Sequence, residues 1–159
     1  MITIPTRLKI RPLPSPHHRD RRGKVVELIV LHAISCPPGR FGTGDIERLF
    51  LGTLDCDSHG AYEEVRGLEL SAHFLIDRRG RVTQFADTER AAFHAGRSSW
   101  RGRRDCNDYS IGIELEGTET RRFTRRQYDK LALLCRDLMM QYPAVTAKRI
   151  VGHSDVAPG

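Results

Sequence analysis

The run Leu28-Ile29-Val30-Leu31 ends in His32 and breaks within a few residues into Pro37-Pro38-Gly39. Four consecutive aliphatic residues, two of them β-branched, followed by a Pro-Pro-Gly stop, predict a short buried strand whose last residue emerges at the sheet's edge. A strand end is a rigid mount for a ligand or catalytic group, because the sheet fixes the backbone while the following loop leaves the imidazole open to one side. A single histidine in that place also suits a purely structural role, with its ring satisfied by hydrogen bonds at a core boundary. The function has to come from the rest of the chain.

At 159 residues the chain has the size of one domain and can bury roughly two thirds of its unfolded surface. No apolar run approaches the ~20 residues that cross a bilayer, and Met1 to Lys24 carries prolines and charges without the apolar stretch of a secretion signal. A cytoplasmic protein with no membrane partner is therefore expected. Cys36, Cys56, Cys106 and Cys135 show neither a C-x-x-C pair nor the spacing of a zinc ribbon or a disulfide framework, which reads as reduced thiols. The net charge of +6 gathers between Arg7 and Lys24 and again in Arg97, Arg101, Arg103 and Arg104. Either cluster suits an anionic ligand, but no nucleic-acid motif accompanies them, so nucleic acid is not an expected partner. The oligomeric state stays open.

Pro5, Pro12, Pro14 and Pro16 disfavour helix, and residues 1–24 read as a basic, proline-rich, irregular arm ahead of a domain over 25–159. Asp45 to Leu51 carries Ile46, Leu49, Phe50 and Leu51 before Gly52, a short helix with a glycine stop. Residues 53–68 read as a polar loop in which His59 and Tyr62 are candidates to line a cleft. Ser71 to Asp77 and Arg81 to Asp87, joined through Gly80, predict a two-stranded hairpin. Arg90 to Arg104 has no period and predicts a long loop, and loops of that length are usually functional or disordered.

Ser110 to Thr118 alternates, with Ile111, Ile113 and Leu115 on one face and Gly112, Glu114 and Glu116 on the other. Gly112 leaves room for another group to approach the backbone beside two carboxylates, although a solvent-facing strand gives the same alternation. Thr124 as N-cap and Gln127 three residues on form a capping box that opens the clearest helix. Tyr128, Leu131, Leu134, Cys135 and Leu138 form its apolar stripe, and Pro143 stops it. A second apolar run, Ile150-Val151-Gly152, again ends in a histidine, His153.

Two histidines, each at the end of an apolar run, and a carboxylate on a glycine-bearing strand are the parts of a catalytic zinc hydrolase: protein ligands, an open position for water, and a base. Spacing alone leaves that weak; the surrounding motifs make it specific. Leu31-His32 with Pro37-Pro38-Gly39-Arg40-Phe41-Gly42, Ser71-Ala72-His73-Phe74-Leu75-Ile76, Arg90-Ala91-Ala92-Phe93-His94-Ala95-Gly96, Cys106 through Thr118, and Gly152-His153-Ser154-Asp155-Val156-Ala157-Pro158 follow in order. Together they resemble the bacterial cytosolic 1,6-anhydro-N-acetylmuramyl-L-alanine amidases of the AmpD type, from about Pro14 to the last residue. The resemblance implies an α/β fold of the α+β kind, a mixed central β-sheet flanked by helices, shared with peptidoglycan-recognition proteins. It implies one zinc ion, Zn2+, with His32 and His153 as two of its three ligands and Glu114 as catalytic base. It also implies the reaction: hydrolysis of the amide between anhydro-N-acetylmuramic acid, or N-acetylmuramic acid, and L-alanine of a muropeptide in peptidoglycan recycling. Tyr62, His94, Arg103 and Arg104 are the candidate substrate contacts, the arginines for the peptide's carboxylates.

The resembled family places its third zinc ligand, an aspartate, and an oxyanion-stabilising lysine shortly after the Ala-Pro that is Ala157-Pro158 here. The sequence ends at Gly159, so a domain truncated at its C-terminus and impaired in turnover is expected; losing one oxyanion donor typically costs roughly 100- to 1000-fold in rate. Asp155 matches a different aspartate of the motif. Ala33 stands for the family's usual asparagine and Asp105 for a frequent arginine, which bears on fine specificity. The alternative function is a non-catalytic muropeptide-binding module, against which Glu114 speaks, since a binder needs no base.

Overall fold

The computed structural model describes residues 7–158. In chain order it contains β1 (Ile10–Pro12), β2 (His18–Arg19), β3 (Leu28–Ile34), α1 (Asp45–Leu51), β4 (Phe74–Ile76), β5 (Val82–Gln84), β6 (Ala91–Ala92), β7 (Ser99–Trp100), β8 (Arg103–Arg104), β9 (Ser110–Glu116), α2 (Arg125–Gln141), β10 (Ile150–Gly152) and the single turn α3 (His153–Val156). Six strands form one mixed sheet in the order β1-β5-β4-β9-β3-β10. The hairpin β4–β5 is antiparallel, and β1 on β5, β4 on β9, β9 on β3 and β10 on β3 all run parallel. The expected mixed sheet flanked by helices is therefore present.

Alternation along the two longest strands sorts the core into layers. Ile29 of β3 and Ile111 and Ile113 of β9 face α2 and pack with Leu134, Cys135 and Leu138. The opposite face carries two clusters, one under α1 with Ile46, Leu49, Phe50, Leu75 and Phe85, the other with Leu28, Val30, Cys106, Tyr109 and Val156. Helix α2 lies along the sheet for about 25 Å, and its capping box forms as its sequence predicts. Gln127 is fully buried and does more than cap: its Nε2 donates to Ile76 O and Glu116 O, tying the helix start to β4 and β9. Tyr128, expected on the apolar stripe, is exposed instead.

Three expectations need correction. Residues 7–24 do not run as an irregular arm, because β1 extends the main sheet and β2 pairs with β6; residues 1–6 of that segment lie outside the described residues. Pro12, Pro14 and Pro16 sit where no ladder donor is needed, on an edge strand and in the segment that follows it. Arg21 is buried, and its guanidinium donates to the carbonyls of Thr88, Asn107, Asp108 and Ser110. The region 90–104 is organised by β6 and by the hairpin β7–β8, whose turn puts Arg101 and Gly102 at positive φ. The polar segment 53–68 contains a 3-10 helix, Gly60–Val65.

Arg21→Leu is expected to lower unfolding free energy by roughly 3–5 kcal/mol, since it strands four carbonyls, those of Thr88, Asp108 and Ser110 buried, that the guanidinium now satisfies. Urea unfolding of the two proteins checks this; a change below about 1 kcal/mol, within the range of ordinary surface substitutions and small core changes, contradicts it.

Candidate active site

The register of three neighbouring parallel strands decides where the catalytic candidates meet. β9 pairs with β3 so that Glu114 stands directly beside His32. β10 pairs with the other side of β3, Gly152 beside Leu31, and His153 follows at once, level with His32. Glu114, His32 and His153 thus line up across the C-terminal ends of β9, β3 and β10, although 121 positions separate the two histidines in the chain. The rings of His32 and His153 lie 4.9 Å apart, and His153 is exposed while His32 is mostly covered. A shallow pocket of about 380 Å³ opens over them, lined by Leu31, His32, Ala33, Glu119, His153, Ser154 and Ala157. The turn carrying His153 is fixed by Gly152 N donating to Asp155 Oδ2, 2.8 Å. Asp155 is thereby a cap of that turn.

Of the two carboxylates that share a face of β9, structure separates what alternation joined. Glu116 accepts from the backbone N–H groups of Gly42 and Arg78 and so braces two loops. Among the described residues, Glu114 Oε2 is the buried side-chain oxygen with neither a hydrogen bond nor a facing cation; Glu27 Oε1 and Asp108 Oδ1 each face an arginine. Burial without a donor pushes the Glu114 carboxyl up to about 8. The solvent-facing alternative for this strand does not hold, because every residue of β9 is buried.

Burial pushes His32 down to about 3, reinforced by His153, and His94 also well below the ordinary histidine range, so both rings are neutral near pH 7. A neutral imidazole beside a second one, with a hydrogen-bond-free carboxyl next to them, is the donor chemistry that suits a zinc ion with room left for water. No group of three or more His, Cys, Asp or Glu side chains converges to hold a metal among the described residues. His32 and His153 fit as a pair that needs a further ligand.

Between the ordinary pKa of about 4.5 and the folded value of about 8, the unfolded chain has lost the Glu114 proton while the native protein keeps it. Fewer protons on the unfolded state means stability falls as pH rises through that window, by up to about 1.4 kcal/mol per pH unit from this group. Glu114→Gln removes the dependence, so its stability relative to the parent is expected to rise steadily from pH 5 to pH 8. Thermal unfolding of both proteins in a chelator-treated pH series tests this; parallel curves would contradict it.

The candidate substrate contacts divide. Tyr62 is not on a cleft: it is buried in the α1 cluster with its hydroxyl donating to Asp45 Oδ2, because the 3-10 turn points the ring inward. His94 is likewise not turned to a substrate, being buried beneath His32 with its Nδ1 2.9 Å from His32 Nε2. Arg103 is paired with Glu27 and stacked on the Tyr109 ring. Arg104 is exposed on β8 and lines a second pocket with Arg97, Ser99, Asp105, Val156 and Ala157, so Ala157 belongs to both pockets. The residues that sequence reasoning left without a role here are Ser110 and Glu119. The room predicted beside Gly112 is taken by His94: a Cβ on Gly112 would lie 2.3 Å from His94 Cγ.

A family model described as N-acetylmuramoyl-L-alanine amidase matches residues 22–159, nearly the whole described chain. The chain belongs to the N-acetylmuramoyl-L-alanine amidase family. Within this amidase family it is of the AmpD type: it is 49% identical to the 1,6-anhydro-N-acetylmuramyl-L-alanine amidase AmpD of Enterobacter cloacae, over 93% of this chain and 79% of that protein. A crystal structure of a selenomethionine AmpD derivative superposes with a TM-score of 0.91 at 45% identity, covering 94% of this chain and 83% of that one. The crystal structure of AmpDh3 from Pseudomonas aeruginosa in complex with anhydromuramic pentapeptide matches at a TM-score of 0.60 and 26% identity, over 100% of this chain and 60% of that one. The chain is thus an amidase-class enzyme by family.

Proposed function

We propose that this chain is a zinc-dependent hydrolase of muropeptides that cuts the amide between anhydro-N-acetylmuramic acid, or N-acetylmuramic acid, and L-alanine, acting in the cytoplasm in peptidoglycan recycling. The observation that carries the reading is the alignment of Glu114, His32 and His153 across three adjacent strand ends in an AmpD-type chain. No helix is long and apolar enough to cross a membrane among the described residues. The ligand in the AmpDh3 complex, anhydromuramic pentapeptide, supports the substrate class.

His32 and His153 would hold the zinc through their imidazoles, with the third ligand and the oxyanion lysine supplied by the segment that the resembled family places beyond Ala157-Pro158. When bound, zinc supplies Lewis acidity to the amide carbonyl and to the water that attacks it. Glu114 takes the proton from that water and returns it to the leaving amine of L-alanine. A cation held beside it would favour the charged form of the Glu114 carboxyl. Its burial keeps bulk water from competing for the proton. Arg97 and Arg104, beside Ala157, would meet the carboxylates of the stem peptide.

The test is release of free stem peptide from anhydro-N-acetylmuramyl tripeptide, followed by mass spectrometry with zinc and with a chelator. Zinc-dependent release supports the reading. Saturable binding with no release, persisting when the family's aspartate and lysine segment is supplied, would instead establish the non-catalytic binding module.

A further inference from the structure

Behind the site, three short contacts dictate where one proton sits. Ser110 Oγ lies 2.6 Å from Cys106 O. A carbonyl brings no hydrogen, so the serine hydroxyl proton must lie between these oxygens. Ser110 Oγ is then left to accept, and the group that faces it is His94 Nε2 at 3.1 Å, which must carry the N–H. A neutral imidazole has one N–H, so His94 Nδ1 presents a lone pair. Its partner at 2.9 Å is His32 Nε2, which must donate. The chain of donors runs from His32 to His94 to Ser110 to the Cys106 carbonyl.

We propose that His94 and Ser110 are positioning residues that hold His32 in the Nε2–H tautomer, so that Nδ1 is kept as the lone-pair nitrogen for the metal. Run in reverse, the chain would need Ser110 to donate to His94, leaving two oxygens 2.6 Å apart with no proton between them. His32 would then carry its proton on Nδ1 and have no free lone pair for a cation. The ring of His94 is built into place for this task. It lies against the bare backbone of Gly112, where any side chain would collide with it. Asn107 Oδ1 accepts from the backbone N–H groups of His94 and Ala95, fixing the turn from which the ring projects. A ligand histidine whose other nitrogen is held by a protein acceptor has its tautomer and ring orientation set, which raises metal affinity.

The inference rests on the reading of His32 as a zinc ligand, and the experiment separates the two. The 15N-histidine-labelled chain is examined by long-range 1H–15N correlation at neutral pH, metal-free and with zinc, and zinc affinity is read by competition with a chromophoric chelator. His32 and His94 are both expected to carry hydrogen on Nε2 before zinc is added. Ser110→Ala and His94→Phe are expected to let His32 populate the Nδ1–H form and to weaken zinc binding by about 10- to 100-fold. His94→Gln, whose amide can both accept and donate, is expected to restore the tautomer and most of the affinity. A parent spectrum with the His32 proton on Nδ1 overturns the relay without need of any variant, as does a His32 tautomer indifferent to both Ser110→Ala and His94→Phe. Failure of zinc to bind the chain continued through the family's aspartate and lysine, with His32 protonated on Nε2, sinks the metal reading and leaves the relay standing.

Discussion

Glu114→Gln is expected to lower amide hydrolysis by about 10²- to 10⁴-fold, the usual contribution of a general acid–base group, while changing zinc affinity by only a few-fold. The substitution keeps the shape of the side chain and removes its ability to take a proton. Because the buried Glu114 Oε2 has no hydrogen-bond partner, replacing it should not unpair a neighbour there. The loss should therefore fall on turnover and leave substrate binding in place, so kcat drops with KM little changed. Glu116→Gln is the control: that carboxylate holds two backbone N–H groups and should cost stability rather than turnover. Steady-state kinetics with zinc titrated to saturation distinguish these outcomes. Equal losses in the two variants would mean that Glu114 is not the base.

The second large effect concerns the metal. A polypeptide of residues 1–159 is expected to hold zinc weakly through His32 and His153. Continuing it through the aspartate and lysine of the resembled family should raise zinc retention and increase turnover by at least about 100-fold, since one oxyanion donor alone is worth that much. Zinc per chain by atomic spectroscopy, beside amide hydrolysis by the same samples, gives the answer. Stoichiometric zinc and full turnover in the shorter polypeptide would mean that a residue already present completes the site, and no third His, Cys, Asp or Glu converges there among the described residues.

The strand that carries His32, the helix ending at Gly52, the hairpin around Gly80 and the capped helix from Thr124 were legible in the sequence, although β3 runs past His32 to Ile34 and lies between β9 and β10 rather than ending at the sheet's edge. Each rests on local rules: aliphatic runs, capping side chains and residues that tolerate positive φ. His32, His153 and Glu114 were singled out by the motifs around them. The proline-rich start misled, because an edge strand needs only one row of hydrogen bonds and local propensity does not reveal a distant partner. The region 90–104 misled for a similar reason, its two-residue strands being too short to show a period.

What the sequence by itself determined, then, is which side chains carry chemistry and which elements bear them. Only the tertiary structure decided how they meet. Strand register, set by long-range pairing of β9, β3 and β10, brought a carboxylate and two histidines to one level. Packing then gave Glu116 two N–H donors and left Glu114 with none, although the two share one face of the same strand. It also turned Tyr62 inward and set His94 under His32, so that one is core and the other a support. Burial and hydrogen bonding depend on what arrives from elsewhere in the chain, and no local pattern encodes that.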